Sequence, residues 1–321
     1  MRYRTLGETG LVVSEIGFGA WGIGGQSPGA TSYGPTRDDV SRDALRRAFD
    51  RGITFYDTAN VYGDGHSEAL IGAAFRTRRD RIVIATKAGR PEYAGPPDYS
   101  ATELRRSLEG SLRRLATDYV DLLQLHDPPV ATLRDDDALL TLDRLRAEGK
   151  VRAVGVSVRS PDDGLRAVRD LGIGVVQVNL SLIDQRACEN GLLTIATACR
   201  AGVVARTPLC FGLLSGRVAP DALFDPSDHR SRWPRPQIAR WAEASRLFIA
   251  TVAERERQTP AQLALRFCLS LPGVSTVIPG MLSPAEVEEN AAASDLGPLG
   301  ARDLAEIARV YGSQTFFLGA A

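Results

Sequence analysis

From Ile16 onward, short apolar runs alternate with longer stretches in which apolar side chains return every three or four positions. Compact runs rich in β-branched and aromatic residues read as strands, and the helical period reads as amphipathic helix. The strand candidates are Ile16–Gly19, Ile53–Tyr56, Ile82–Thr86, Tyr119–Leu125, Val151–Val156, Gly174–Val178, Val203–Arg206 and Ser275–Ile278. Between them lie amphipathic segments such as Asp38–Asp50, Thr102–Leu115, Asp137–Glu148 and Pro260–Leu271. Ser160-Pro161-Asp162-Asp163 and Ser283-Pro284-Ala285-Glu286 each put Ser at a helix N-cap and Pro at the first helical position. Ahead of this rhythm, Arg2–Leu6 and Leu11–Val13 flank the turn Gly7–Gly10, which predicts a β-hairpin. Eight strands with interleaved helices and no long linker predict an α/β fold, a (β/α)₈ TIM barrel with an N-terminal hairpin, with residues 1–321 as one domain. An open doubly wound sheet is the competing architecture.

Two long segments break the rhythm. Gly22–Thr36 follows the first strand and Thr207–Pro236 the seventh; both are rich in Gly, Pro and Ser. Each would leave the C-terminal end of a barrel strand, where loops build the active face. After the second, Gln237–Glu256 predicts an extra helix outside the eight-fold pattern. The run Gly17-Phe18-Gly19-Ala20-Trp21-Gly22 fits the spacing of a dinucleotide-binding glycine motif, but that motif needs a helix to open at its end. Here the chain continues Ile23-Gly24-Gly25-Gln26-Ser27-Pro28-Gly29, which cannot start one.

The 39 basic and 39 acidic side chains cancel, which argues against nucleic acid or an anionic membrane as partner. No apolar run approaches the roughly 20 residues of a membrane span, and Met1-Arg2-Tyr3-Arg4 lacks the apolar stretch of a secretory leader, so a cytoplasmic location is expected. Cys188, Cys199, Cys210 and Cys268 show no paired spacing, and the only histidines are His66, His126 and His229; no metal site is expected, and the thiols read as free.

Four polar residues fall at or just past successive strand ends: Asp57 and Tyr62 after the second, Lys87 after the third and His126 after the fourth. Adjacent strand ends are neighbours on one rim of a barrel, so these side chains can converge. A free tyrosine has a pKa near ~10, too high for ready proton exchange at neutral pH. A neighbouring ammonium stabilises the phenolate, a carboxylate anchors the ammonium, and a histidine can orient a carbonyl oxygen or relay the proton. Taken one by one, Asp57 also reads as a turn cap, Lys87 as solvated, Tyr62 as core and His126 as a satisfied interior histidine. Their joint placement favours the chemical reading.

Phe55-Tyr56-Asp57-Thr58-Ala59-Asn60-Val61-Tyr62-Gly63, with Ser67-Glu68 and Leu70-Ile71-Gly72 behind it, closely resembles the signature of the aldo-keto reductase superfamily. So do Ala85-Thr86-Lys87, Leu122-Leu123-Gln124-Leu125-His126 and the run from Gly149 to Ser157. The resemblance extends from the hairpin to Glu288-Glu289-Asn290. It implies reversible reduction of an aldehyde, ketone or sugar-like carbonyl. Tyr62 would be the general acid, Lys87 its partner, Asp57 the anchor of Lys87 and His126 the orienter of the carbonyl. Family members that replace the histidine with a carboxylic acid are associated with reducing carbon–carbon double bonds; this chain keeps His126.

The same resemblance implies a nicotinamide cofactor, NADP(H) ahead of NAD(H). Ser157 and Gln177 would hold the carboxamide, although the Asn usual after the serine is Val158 here. Arg206 stands where an aromatic residue commonly stacks on the nicotinamide, and Thr207, Pro208, Leu209, Gly212, Ser215 and Arg217 continue along the cofactor. Ile278, Gly280, Glu286, Glu289 and Asn290 match the adenosine-phosphate segment, but Glu286 and Leu282 replace residues that often favour a 2′-phosphate; Arg217 can supply compensating charge. Trp21, beside both cofactor and substrate, is read as a pocket wall, and Trp233 on the second long loop as a lid over the substrate. Tyr93 and Tyr99 are further loop aromatics, and Arg230, Arg232 and Arg235 point to an anionic or hydroxylated small molecule. Two other readings stay open: a redox-sensing regulatory subunit that binds cofactor with little turnover, and a lyase with Lys87 as Schiff-base nucleophile. Monomer or homo-oligomer is left undetermined.

Overall fold

A computed structural model describes residues 1–26, 32–129, 133, 137–253 and 255–319. Part of the first long loop, residues 27–31, lies outside them. The hairpin is present as β1 (Tyr3–Thr5) and β2 (Val12–Ser14), paired antiparallel with Tyr3 opposite Ser14. Eight parallel strands follow: β3 (Phe18–Gly19), β4 (Phe55–Asp57), β5 (Val83–Ala88), β6 (Val120–His126), β7 (Val151–Ser157), β8 (Val175–Asn179), β9 (Gly202–Arg206) and β10 (Val274–Ile278). They pair in chain order, and parallel bridges Ile16–Val277 and Gly19–Gly280 join the first strand to the last. The sheet therefore closes into a (β/α)₈ barrel rather than the open doubly wound alternative.

The helices between strands are α1 (Asp38–Asp50), α2 (His66–Phe75), α3 (Ala101–Leu115), α4 (Asp137–Ala147), α5 (Pro161–Leu171), α6 (Arg186–Glu189) and α7 (Leu192–Ala198), then α8 (Arg235–Ile249) and α9 (Pro260–Ser270) before the last strand. After it come α10 (Pro284–Leu296) and α11 (Ala301–Gly312). Ser160 and Ser283 cap α5 and α10 as their sequences predict, each with proline in the first turn. The extra helix starts two residues earlier than expected, because Pro236 fits its first turn, and it stops at Ile249. Just beyond, the Thr251 hydroxyl donates to the Phe248 carbonyl. Gly17–Gly22 opens only a short 3₁₀ turn at Gly22–Gly24. Its glycines serve closure of the barrel: a Cβ on Gly19 would stand 2.7 Å from the Ile278 carbonyl oxygen.

Period-two alternation sorts the barrel interior into two layers. Phe55, Val83, Ala85, Leu122, Ala153, Val175 and Val204 point inward and form one apolar cluster with Leu6, Leu11 and Val13, so the hairpin plugs the N-terminal end. Two residues further along the strands, the same inward parity falls on Asp57, Lys87, Gln124, Gln177 and Arg206. Polar side chains thus collect at the C-terminal end, while the outward set, including Tyr56, Ile84, Leu123 and Val176, packs under the helices.

Candidate active site

Lys87 is fully buried, and its ammonium donates to Asp57 Oδ1 at 2.6 Å, to the Thr58 carbonyl at 2.9 Å and to the Tyr62 hydroxyl at 3.1 Å. The other carboxylate oxygen of Asp57 accepts from Gln177 Nε2 at 2.7 Å and Gln124 Nε2 at 3.1 Å. An ammonium and a carboxylate are thereby buried together with both satisfied, the condition under which such a pair persists in a core. Burial by itself would lower the Lys87 pKa; the charges of Asp57 and Tyr62 and their hydrogen bonds outweigh it, and the net shift is upward. With its three donors occupied and no part in the cavity lining, Lys87 is badly placed for a Schiff-base nucleophile.

Tyr62 reaches this pair because the chain turns sharply behind it. Gly63 has φ +60°, and a Cβ there would overlap the Gly24 carbonyl oxygen. His126 stands across the cavity with its ring perpendicular to that of Tyr62, centroids 6.1 Å apart. The Tyr99 hydroxyl holds the carbonyls of His126 and Asp127, each at 2.9 Å. Burial first, then the charges of Lys87, Arg206, Arg90 and Arg159, push the His126 pKa well below its ordinary value. The imidazole is therefore neutral, and its Nδ1 is buried without a protein partner.

These groups open into a cavity of about 550 Å³ that runs from Tyr62 and His126 to Glu289 and Asn290. Of the predicted cofactor residues, Trp21, Asp57, Gln177, Arg206, Thr207, Pro208, Leu209, Gly212, Ser215, Arg217, Ile278, Gly280, Glu286, Glu289 and Asn290 line it. Ser157 does not; it sits one layer back, its hydroxyl donating to Gln177 Oε1 at 2.8 Å. Arg206 Nε donates to Asn179 Oδ1 at 2.9 Å, with Thr207 Oγ1 on the same oxygen at 2.8 Å. Arg217 forms an ion pair with Glu289, and Glu286 accepts the Leu282 N–H at 2.6 Å. At this end one guanidinium faces two carboxylates.

Trp233 is not in the lining. It is packed behind Phe211 and against His229 and Trp241, with centroids 4.9, 5.2 and 5.0 Å away, so the lid expected of it is replaced by a fixed prop. The aromatic wall itself is Trp21 with Tyr33 and Phe211, at 5.4 and 6.1 Å. Of the loop arginines, Arg230 lines the cavity but is neutralised by Asp228 at 2.6 Å. Tyr33, Arg90, Asp127, Arg159, Asn179 and Phe211 line the cavity without having been singled out from sequence. Asn179 shares the inward parity of Gln177, and Arg90, Asp127 and Arg159 each fall within two residues of a strand end. The rule that found Lys87 and His126 applies equally to them.

The aldo/keto reductase family model matches residues 15–311. The chain belongs to that family. This aldo-keto reductase is 33% identical over 306 residues to L-galactose dehydrogenase of Arabidopsis thaliana, covering 92% of this chain and 89% of that one. It is 31% identical to a probable voltage-gated potassium channel subunit beta of the same plant, over 93% of each chain. Among solved structures, the glycerol dehydrogenase of Gluconobacter oxydans superposes with a TM-score of 0.81 at 28% identity, covering 98% of this chain and 97% of that one. Membership makes the protein an oxidoreductase of barrel fold.

Proposed function

We propose that this aldo-keto reductase reduces an aldehyde, ketone or sugar-like carbonyl to the alcohol, reversibly, with Tyr62 as general acid. The observation that carries the reading is the buried lysine bonded at once to Asp57 and to the Tyr62 hydroxyl. Tyr62 gives its proton to the carbonyl oxygen, and the Lys87 ammonium at 3.1 Å stabilises the negative charge left on the phenol oxygen. Asp57, braced by Gln124 and Gln177, keeps that ammonium charged and in place. Neutral His126 orients the carbonyl oxygen by a hydrogen bond instead of competing as an acid. Trp21 walls the substrate side.

A bound reduced nicotinamide would supply hydride to the carbonyl carbon. The residues present fit such a dinucleotide: the lining runs from Tyr62 and His126 to Glu289 and Asn290, and a Cβ on Gly280 would meet nothing nearer than the Tyr33 hydroxyl at 4.0 Å, so its backbone is open to a ligand. Gln177, held from behind by Ser157, would face the carboxamide end and Arg206 the ring. Thr207, Pro208, Leu209, Gly212, Ser215 and Arg217 would follow the pyrophosphate, and Ile278, Gly280, Glu286, Glu289 and Asn290 the adenosine. With Arg217 spent on Glu289 and Glu286 beside it, this end favours the 2′-hydroxyl of NAD(H) over the 2′-phosphate of NADP(H). That reverses the order the resemblance implies.

The test is Tyr62→Phe, followed by reduced-cofactor absorbance on a carbonyl panel and by fluorescence titration. Turnover should vanish while cofactor affinity holds; a strong loss of binding would instead make Tyr62 structural. NADH should bind at least tenfold more tightly than NADPH, and Leu282→Arg with Glu286→Gln should narrow or invert that ratio. The likeness to a channel β subunit supports a second reading, cofactor binding without appreciable turnover. A wild-type protein that binds NADH yet reduces no carbonyl would favour it.

A further inference from the structure

The cavity end beyond Tyr62 and His126 is lined by Arg90, Asp127 and Arg159, each just past a different strand. Asp127 lies in the left-handed region at φ 58°, its N–H on the Ser157 carbonyl at 2.7 Å. One of its oxygens, Oδ2, takes Arg159 Nε at 2.8 Å and Arg90 at 3.3 Å. A single carboxylate oxygen therefore serves two guanidiniums, and a positive charge is left over. Arg90 is 19% exposed, its backbone carbonyl is held by Asn60 Nδ2 at 2.7 Å, and its Nε is buried with no hydrogen-bond partner. Arg159 projects at the mouth, 74% exposed. Arg206 adds a second cation whose hydrogen bonds go to neutral Asn179 and Ser157.

The surplus is confined to the reacting end. Elsewhere along the lining, Arg230 is matched by Asp228 and Arg217 by Glu289. Asp57 does not offset the surplus, because Lys87 already takes its charge. A carboxylate or phosphate is the ligand group such a place fits: guanidinium forks bind planar or tetrahedral oxyanions through paired, charge-assisted hydrogen bonds. Asp127 then acts as a built-in stand-in that keeps both forks aimed while no anion is present.

We infer that the carbonyl substrate carries a carboxylate or phosphate at the end remote from its carbonyl, and that Arg90 and Arg159 grip this group in exchange for Asp127. The inference rests on the reductase reading above and adds the substrate class to it. Neutral aldehydes would lack the anchor, and the difference should sit mainly in KM, since the anchored group takes no part in the chemistry.

Two matched pairs test it on the full-length chain with reduced cofactor: 4-oxobutanoate against butanal, and glyceraldehyde 3-phosphate against glyceraldehyde. The anionic member of at least one pair should have a kcat/KM at least tenfold higher, and raising ionic strength should shrink the advantage. Whichever pair shows it tells carboxylate from phosphate. Arg159→Gln and Arg90→Gln should each cut the anionic-to-neutral ratio about tenfold. Asp127→Asn tolerates the same backbone, removes the competing charge, and should raise that ratio severalfold. Calorimetric binding of 4-hydroxybutanoate and glycerol 3-phosphate, against 1,4-butanediol and glycerol, reads the anchor without turnover. Anion-selective binding with no carbonyl reduced would support the anchor and sink the reductase reading. Carbonyls reduced with no anion preference in rate or binding would overturn the anchor and leave the reductase reading standing.

Discussion

Replacing Lys87 with methionine keeps an unbranched side chain, one atom shorter, and removes its charge. Asp57 would then be an ionised, 2% exposed carboxylate whose Oδ2 still has two amide donors but whose Oδ1 has lost its cation. Breaking one side of a buried ion pair costs about 3–5 kcal/mol, because the remaining charge stays desolvated. With about 2.1 cal/mol/K of unfolding entropy per residue, a chain of this length has roughly 0.7 kcal/mol/K in all, so the expected drop in Tm is roughly 4–7 °C. The double variant Lys87→Met with Asp57→Asn removes both charges and should recover at least half of that loss. Activity should behave differently: both variants should fall to below about 1% of wild-type kcat, since neither has an ammonium beside the Tyr62 oxygen. Calorimetric melting and reduced-cofactor absorbance read the two effects separately. If the single variant melts with wild type, the pair is not the buried charge couple described. A double variant with substantial turnover would mean that Lys87 does no more than stabilise Asp57.

The low pKa of His126, and that of His229 for which burial is again the main cause, means that the unfolded chain takes up protons that the native state refuses. Stability should therefore be full above about pH 6.5 and fall as pH drops below it, by up to ~1.4 kcal/mol per unit for each histidine. Denaturant midpoints from pH 7.5 to 5.0 should show a shallower fall in His126→Gln, and equal slopes would count against the assignment. Gly63→Ala should cost at least about 2 kcal/mol, because a positive φ and an overlap with the Gly24 carbonyl coincide there. Its kcat should drop with the displaced Tyr62, which urea melts and initial rates would check. Arg206→Tyr should raise the affinity for oxidised relative to reduced cofactor, since a guanidinium beside a cationic ring is unfavourable; an unchanged ratio of the two dissociation constants would reject this.

All eight barrel strands were legible because short apolar runs alternate with helical segments, the first following the hairpin instead, and the catalytic candidates because they sit at or just past strand ends. The third and fourth barrel strands run one or two residues further toward the C-terminal face than expected, because polar inward residues such as Lys87 and His126 still belong to the ladder, whereas the last two keep their expected ends and start one residue earlier. What stayed hidden depends on contacts between loops. Trp233 has the composition of a lid, yet Phe211 stands between it and the cavity, a fact of tertiary packing with no local signal. The loop arginines drew attention by number; which ones are neutralised depends on partners such as Asp228 and Asp127, and only the fold selects those. Arg90 and Arg159 are 69 positions apart, so nothing in the chain announces that they share one carboxylate oxygen.

The charges on this face act together. Lys87, Arg206, Arg90 and Arg159 all bear on His126, and their combined field works against a proton on its ring. On the proposed reading, that leaves the acid's part to Tyr62, where an imidazolium would have been the stronger acid. The same field opposes a cationic nicotinamide at Arg206 and favours an anion between Arg90 and Arg159. A site biased in this way holds a neutral reduced ring better than an oxidised one, whereas the anion, which the alcohol product keeps, is gripped equally on both sides of the reaction. On the proposed reading, it is the charge of the ring alone that lets the rim favour the reducing direction, apart from any preference set by the concentrations of the two cofactor forms.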